Sequence, residues 1–113
     1  MADTSLTESK IGLLIWQLSN LWQSRLRLIL KNFDLTLNEY LILESIVKLK
    51  LIKNNLYQNE ISKFSGIDIS VASVTFKLLE SKNLITRNMK VDYRKKNIKM
   101  TEKGINLHIK VSP

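Results

Sequence analysis

At Asn83 the hydrophobic rhythm of the chain changes, and few folds of 113 residues accommodate such a change. Up to that point apolar side chains recur at helical intervals. Beyond it they alternate, first in Leu84-Ile85-Thr86-Arg87-Asn88-Met89 and again in Asn97-Ile98-Lys99-Met100, as two strands would. Between the strands lies the polar, cationic run Lys90-Val91-Asp92-Tyr93-Arg94-Lys95-Lys96. A hairpin with positive charge at its tip, set against helices, predicts a mainly α protein with a small β-hairpin.

The helices before Asn83 can be bounded by their start and stop signals. Ser5-Leu6-Thr7-Glu8 and Thr36-Leu37-Asn38-Glu39 both fit the S/T-x-x-E capping box. The first predicts a long helix over 5–32 and the second a helix ending before the turn-forming pair Asn54-Asn55. Leu56-Tyr57 fits a stub of strand. A short helix follows from Gln58 to about Phe64, with Ile61 and Phe64 expected to face inward. Ser65-Gly66-Ile67-Asp68 breaks it, and Gly66 is free to take a positive φ. The next helix runs to about Lys82, with Ala72, Thr75, Phe76 and Leu79 as its core stripe and Asn83 as a left-handed stop. Thr101 caps a last helix that reaches about Val111. Two short helices joined by a glycine-containing turn form a helix-turn-helix, and with the hairpin they make a winged helix-turn-helix. The expected organisation is a single domain over 1–113. It comprises a long N-terminal helix at 5–32, the helix-turn-helix at 58–82, the wing at 84–100 and a truncated C-terminal helix at 101–111.

Charge gives this scaffold a direction. The net charge is +8, and residues 1–80 carry nine Lys/Arg against eight Asp/Glu, whereas residues 81–113 carry nine against two. A clustered basic region is the electrostatic footprint of a polyanion partner. Other chemistries find no support in the sequence. The chain has no cysteine, which removes disulfides, thiolate metal sites and thiol redox sensing. Its one histidine, His108, is expected to be solvated or interfacial, and Glu60 and Glu80 to be helix-surface charges. No nucleophile motif, phosphate-cradling glycine loop or paired metal-ligand spacing appears, so no enzyme activity, cofactor or metal is expected. No stretch approaches the roughly 20 apolar residues that span a bilayer, and no signal peptide opens the chain. A cytoplasmic protein without a membrane partner is expected.

Three stretches carry a family likeness. They are Gln58-Asn59-Glu60-Ile61-Ser62 leading to Ser65-Gly66-Ile67-Asp68, then Leu79-Glu80-Ser81-Lys82-Asn83-Leu84-Ile85, and most specifically Asp92-Tyr93-Arg94-Lys95-Lys96-Asn97-Ile98-Lys99-Met100-Thr101-Glu102-Lys103-Gly104. The last is similar to the D-x-R-x-x-x-[VIL]-x-[LM]-T-x-x-G pattern of the multiple-antibiotic-resistance regulator (MarR) family, and the chain resembles that family over about residues 8–108. The resemblance implies a cytoplasmic homodimer that binds double-stranded DNA and regulates transcription, here expected as a repressor. The wing arginine of that family enters the minor groove, oriented by an aspartate two residues earlier; Arg94 and Asp92 match those positions. The family's two long C-terminal helices have no full counterpart, since 13 residues follow Met100. The usual crevice for small aromatic effectors is therefore expected to be incomplete, and the effector, if there is one, is unknown.

The candidate residues follow from both lines of argument. Opposite the core stripe of the second helix-turn-helix helix fall Ile69, Ser70, Ser73, Val74 and Lys77. Of these, Ser70, Ser73, Val74 and Lys77 are the expected major-groove contacts. That helix begins without Arg, Asn or Gln, which predicts weak direct readout and a larger share for phosphate contacts and DNA shape. Arg94, Lys95 and Lys96, with Asp92, are the expected minor-groove and phosphate contacts at the wing, helped along the backbone by Arg87 and Lys90. The first helix carries two apolar stripes where a small monomer needs one. Ile11, Leu14, Ile15, Trp16, Leu18 and Trp22 are the expected dimer contacts, with Trp16 or Trp22 as anchors. The alternative is a winged helix turned to protein–protein contact, an adaptor module that kept the fold and lost the readout.

Overall fold

A computed structural model of the chain describes residues 2–92 and 95–111, with side chains described over 9–88 and 97–111. Five helices and one hairpin follow in the order α1 (Ala2–Lys31), α2 (Leu37–Lys50), α3 (Gln58–Ser65), α4 (Ile69–Ser81), β1 (Ile85–Asp92), β2 (Lys95–Met100) and α5 (Glu102–Val111). This is a winged helix-turn-helix. The core is one cluster in which Ile42, Leu43, Ile46 and Leu49 of α2 meet Ile61 of α3, Phe76 and Leu79 of α4, and Ile85 and Ile98 of the hairpin.

α2 is the hub of this core, and its start is fixed locally. Thr36 Oγ1 accepts from the Glu39 amide at 3.2 Å while Glu39 Oε1 accepts from the Thr36 amide at 3.0 Å, a reciprocal capping box. Glu39 is only 1% exposed, so its carboxylate needs a cation. Lys82, from the end of α4, supplies it, with Nζ 3.0 Å from Oε1 and 2.9 Å from Oε2. Only the contact to Oε1 is aligned as a hydrogen bond, and the contact to Oε2 is an ion pair. Lys82 also donates to the Asp34 carbonyl at 2.6 Å, which joins the loop before α2 to the end of α4.

The strands pair antiparallel, with Ile85 opposite Met100, Arg87 opposite Ile98 and Asp92 opposite Lys95, and an irregular register between Asn88 and Asp92. The stub of strand at 56–57 is present as a bridge between Tyr57 and Asn97. Asn97 makes this edge specific. Its buried side chain accepts from the Leu56 amide at 3.1 Å and donates to Asn55 Oδ1 at 3.2 Å, while the Ile98 amide donates to the Leu56 carbonyl at 2.8 Å. The hairpin is thereby attached to the segment that enters α3.

Two local expectations need correction. Helix α1 begins at Ala2, so Ser5-Leu6-Thr7-Glu8 lies within the helix and does not open it. Phe64, expected to face inward, is 55% exposed, although Ile61 three residues earlier is fully buried. α1 itself joins the core only near its end, through Leu26 and Leu30. Upstream of these, Ile11, Leu14, Ile15, Trp16, Leu18 and Trp22 are all exposed, Trp16 by 63%. A 30-residue helix is about 45 Å long, and its free length gives the molecule its 53 Å long dimension.

α5 starts where Gly104 passes the backbone of Leu84. A Cβ at residue 104 would lie 2.2 Å from the Leu84 carbonyl oxygen, closer than any side chain tolerates. Gly104→Ala is therefore expected to destabilise the protein by about 1–3 kcal/mol through overpacking. That loss outweighs the helix-propensity gain of about 1 kcal/mol from replacing glycine. A urea titration followed by circular dichroism measures it as a lower midpoint.

Candidate nucleic-acid interface

The turn between α3 and α4 is held by side-chain hydrogen bonds of Ser62, Ser65, Asp68 and Ser70. Gly66 takes φ 77°, and its amide closes α3 on the Ser62 carbonyl. Ser62 Oγ donates to the Ile67 carbonyl at 2.7 Å, and Ser65 Oγ accepts from the Ile67 amide at 3.2 Å. Asp68 then caps α4, accepting from the Ser70 amide at 3.1 Å and from the Ser70 hydroxyl. These hydrogen bonds from Ser70 hold the Asp68 carboxyl below its ordinary value. The contribution to stability is present at neutral pH and fades as pH falls through the lowered folded-state value.

Ala72, Thr75, Phe76 and Leu79 are the buried residues of α4, the stripe the sequence predicts. The opposite face is free. Ser70, Val74 and Lys77 are exposed on it and Ser73 is half-buried at its edge. Ser70 differs from expectation in one respect: its hydroxyl proton is committed to Asp68, so toward a ligand the side chain offers only lone pairs. Beside the expected residues the same helix exposes Val71 and Leu78, which the sequence reading left out. Their spacing from Val74 (three and four residues) is the signal that identifies them.

Arg87 is also placed differently from expectation. Its side chain is only 12% exposed. The guanidinium donates to Glu80 Oε1 at 2.8 Å and to Gln58 Oε1 at 3.2 Å, and its Nε is buried without a hydrogen-bond partner among the described residues. It braces α3, α4 and the base of the hairpin from inside. Glu80 is accordingly half of an ion pair and not a free surface charge. Glu60 likewise pairs with Lys53. An arginine two residues into a strand gives no sign in the sequence of which carboxylate will claim it. Tyr93 and Arg94 lie outside the described residues, as do the side chains of Lys90, Asp92, Lys95 and Lys96. The backbone does place Asp92 opposite Lys95 at the far end of the hairpin.

His108, expected to be solvated or interfacial, lies between two helices and is not solvated. It is half-buried, with Nε2 2.6 Å from Glu44 Oε2 and its ring stacked on Tyr40 at 6.3 Å between centroids. The contact fastens α5 to α2. No group of three or more His, Cys, Asp or Glu among the described residues is arranged to hold a metal ion. No helix among them is long and apolar enough to cross a membrane.

Comparison with known proteins agrees with this geometry. No family model matches the chain. It is 30% identical over 94 residues to an HTH-type transcriptional regulator of Bacillus subtilis, YdcH, itself uncharacterized; the match covers 82% of the chain and 64% of YdcH. The chain therefore spans a little less than two-thirds of that relative. Among solved structures it superposes on MepR of S. aureus in complex with DNA, with a TM-score of 0.78, 26% identity, and 89% of the chain and 71% of MepR covered. A MarR-family regulator from Rhodococcus sp. gives a TM-score of 0.79 at 21% identity, over 92% of the chain and 71% of its own length. The chain shares its winged helix-turn-helix fold with these regulators.

The Arg87 brace fixes how α4 and the hairpin sit together. Arg87→Ala is expected to lower stability by about 1.5–3 kcal/mol, the range for hydrogen bonds to charged groups. Arg87→Lys is expected to restore little of it, because one ammonium does not reproduce the forked guanidinium. Thermal unfolding of the three proteins measures both effects.

Proposed function

We propose that this protein is a sequence-preferring, double-stranded DNA-binding transcription regulator that acts as a repressor, with α4 in the major groove and the hairpin wing in the minor groove. Residues 1–113 form one winged-helix domain in this reading. The observation that carries it is the free outward face of α4 on a chain of which 89% superposes on a regulator solved in complex with DNA. The relatives named above are transcription regulators and none is an enzyme. The protein accordingly has no catalytic role here, and its place is the cytoplasm.

In the complex Val74 and Lys77 face base edges and phosphates, with Ser70 and Ser73 at the groove margin. Arg94 enters the minor groove, positioned by Asp92, with Lys90, Lys95 and Lys96 on phosphates. Arg87 acts as a positioning residue. The protein is a homodimer through α1, whose Ile11, Leu14, Ile15, Trp16, Leu18 and Trp22 are exposed on the side chains' own account. Two such chains suit a pseudo-palindromic site with half-sites one helical turn apart.

A second reading, the protein–protein adaptor, is favoured by one observation: the outward face of α4 is partly apolar, through Val71, Val74 and Leu78. Binding to duplex DNA separates the two. Fluorescence anisotropy with a labelled duplex at low salt is expected to show saturable binding that weakens steeply as salt rises. Arg94→Ala is expected to lower that affinity by about 1–3 kcal/mol. An absence of binding at low salt would favour the adaptor, and an unchanged affinity in the variant would remove the wing from the interface.

A further inference from the structure

The outward face of α4 has an unusual chemistry for a surface that meets DNA. Val71, Val74 and Leu78 stand three and four residues apart, so they form one line along the helix. They are 43%, 59% and 45% exposed, and none belongs to the buried stripe on the opposite side. The helix carries no Arg, Asn or Gln anywhere in Ile69–Ser81. The Ser70 hydroxyl proton is committed to Asp68, and Ser73 is half-buried. The planar amide and guanidinium groups that read adenine and guanine with two hydrogen bonds are thus absent from this helix, and Lys77 is its one cation.

What the face offers is apolar surface beside a cation. Lys77 is exposed between Val74 and Leu78, and Lys63 of α3 is exposed as well. An apolar protein groove covering this strip would also bury the Lys77 ammonium or force it aside, at a desolvation cost. A DNA major groove does neither. Phosphates line its edges for the lysines, and its floor has one apolar feature, the C5-methyl group of thymine. Cytosine presents an amino donor at the neighbouring position, and a valine against it would strip that donor of water without replacing the hydrogen bond.

We infer that α4 selects A·T pairs by packing Val71, Val74 and Leu78 on thymine C5-methyl groups in the major groove. This rests on the DNA-binding reading above and assigns its specificity. The operator half-site is rich in thymine where α4 lies, and the methyl groups themselves are the recognised feature.

The test removes and adds those methyls without changing base pairing. Affinities are measured by anisotropy for duplexes of about two helical turns. One is of alternating dA-dT and one is the same with deoxyuridine for every thymidine. A third is of alternating dG-dC, and a fourth carries 5-methylcytosine for every cytosine. Loss of the thymine methyls is expected to weaken binding by about fourfold for each methyl contacted, the effect of one buried methylene. Methylating cytosine is expected to strengthen binding in the same direction. Val74→Ser, at an exposed position that leaves the core intact, is expected to shrink both differences. Equal affinities for the thymidine and deoxyuridine duplexes, with binding otherwise intact, would overturn the inference and leave the DNA reading standing. Failure of all four duplexes to bind would overturn both.

Discussion

The carbonyls of Lys82, Asn83 and Leu84 leave the end of α4 with no helical partner, and all three are taken up by one short segment far along the chain. Lys103 Nζ donates to the first at 3.0 Å, Thr101 Oγ1 to the second at 2.6 Å and the Thr101 amide to the third at 3.0 Å. Asn83 reaches this position in the left-handed region at φ 61°, which asparagine tolerates better than most residues. The Leu84 backbone must in turn lie against residue 104, where only glycine fits. The hairpin begins and ends at this junction, so its angle to α4 is set here. A wing held at a fixed angle beside α4 presents both elements to one partner in a fixed arrangement.

The brace at the hairpin's base shows how the cationic excess divides. Of the nine basic residues beyond position 80, Lys82 neutralises the buried Glu39 and Arg87 is drawn inward by Glu80. These two hold the fold together. The other seven all fall between Lys90 and Lys110 in the sequence. Exposed apolar side chains divide similarly. Those on α1 form a long exposed strip, and those on α4 are few and interrupted by Lys77.

Much of the fold was legible because its punctuation is local. The capping box at Thr36, the glycine at residue 66, the left-handed Asn83 and the Thr101 cap all work through hydrogen bonds within a few residues, and each appears where the sequence places it. The core stripe of α4 is legible for the same reason, since helical periodicity is a short-range pattern. What escaped was long-range. The partners of Arg87, His108 and Lys82 lie 7, 64 and 43 residues away along the chain, and no spacing rule connects them. Ser5 misled because a capping motif inside a longer helix looks the same as one at its start. Val71 and Leu78 flank the buried stripe of α4, where helical periodicity alone does not decide exposure.

The central claim is that α4 and the wing meet one DNA duplex together. Titrating isotope-labelled protein with an unlabelled duplex, and following its backbone amide resonances, tests this most directly. The account expects amides of residues 70–77 and 88–97 to shift in the same titration with one shared midpoint, while those of α2 in the core stay in place. Shifts confined to only one of the two elements, or separate midpoints for them, would contradict it.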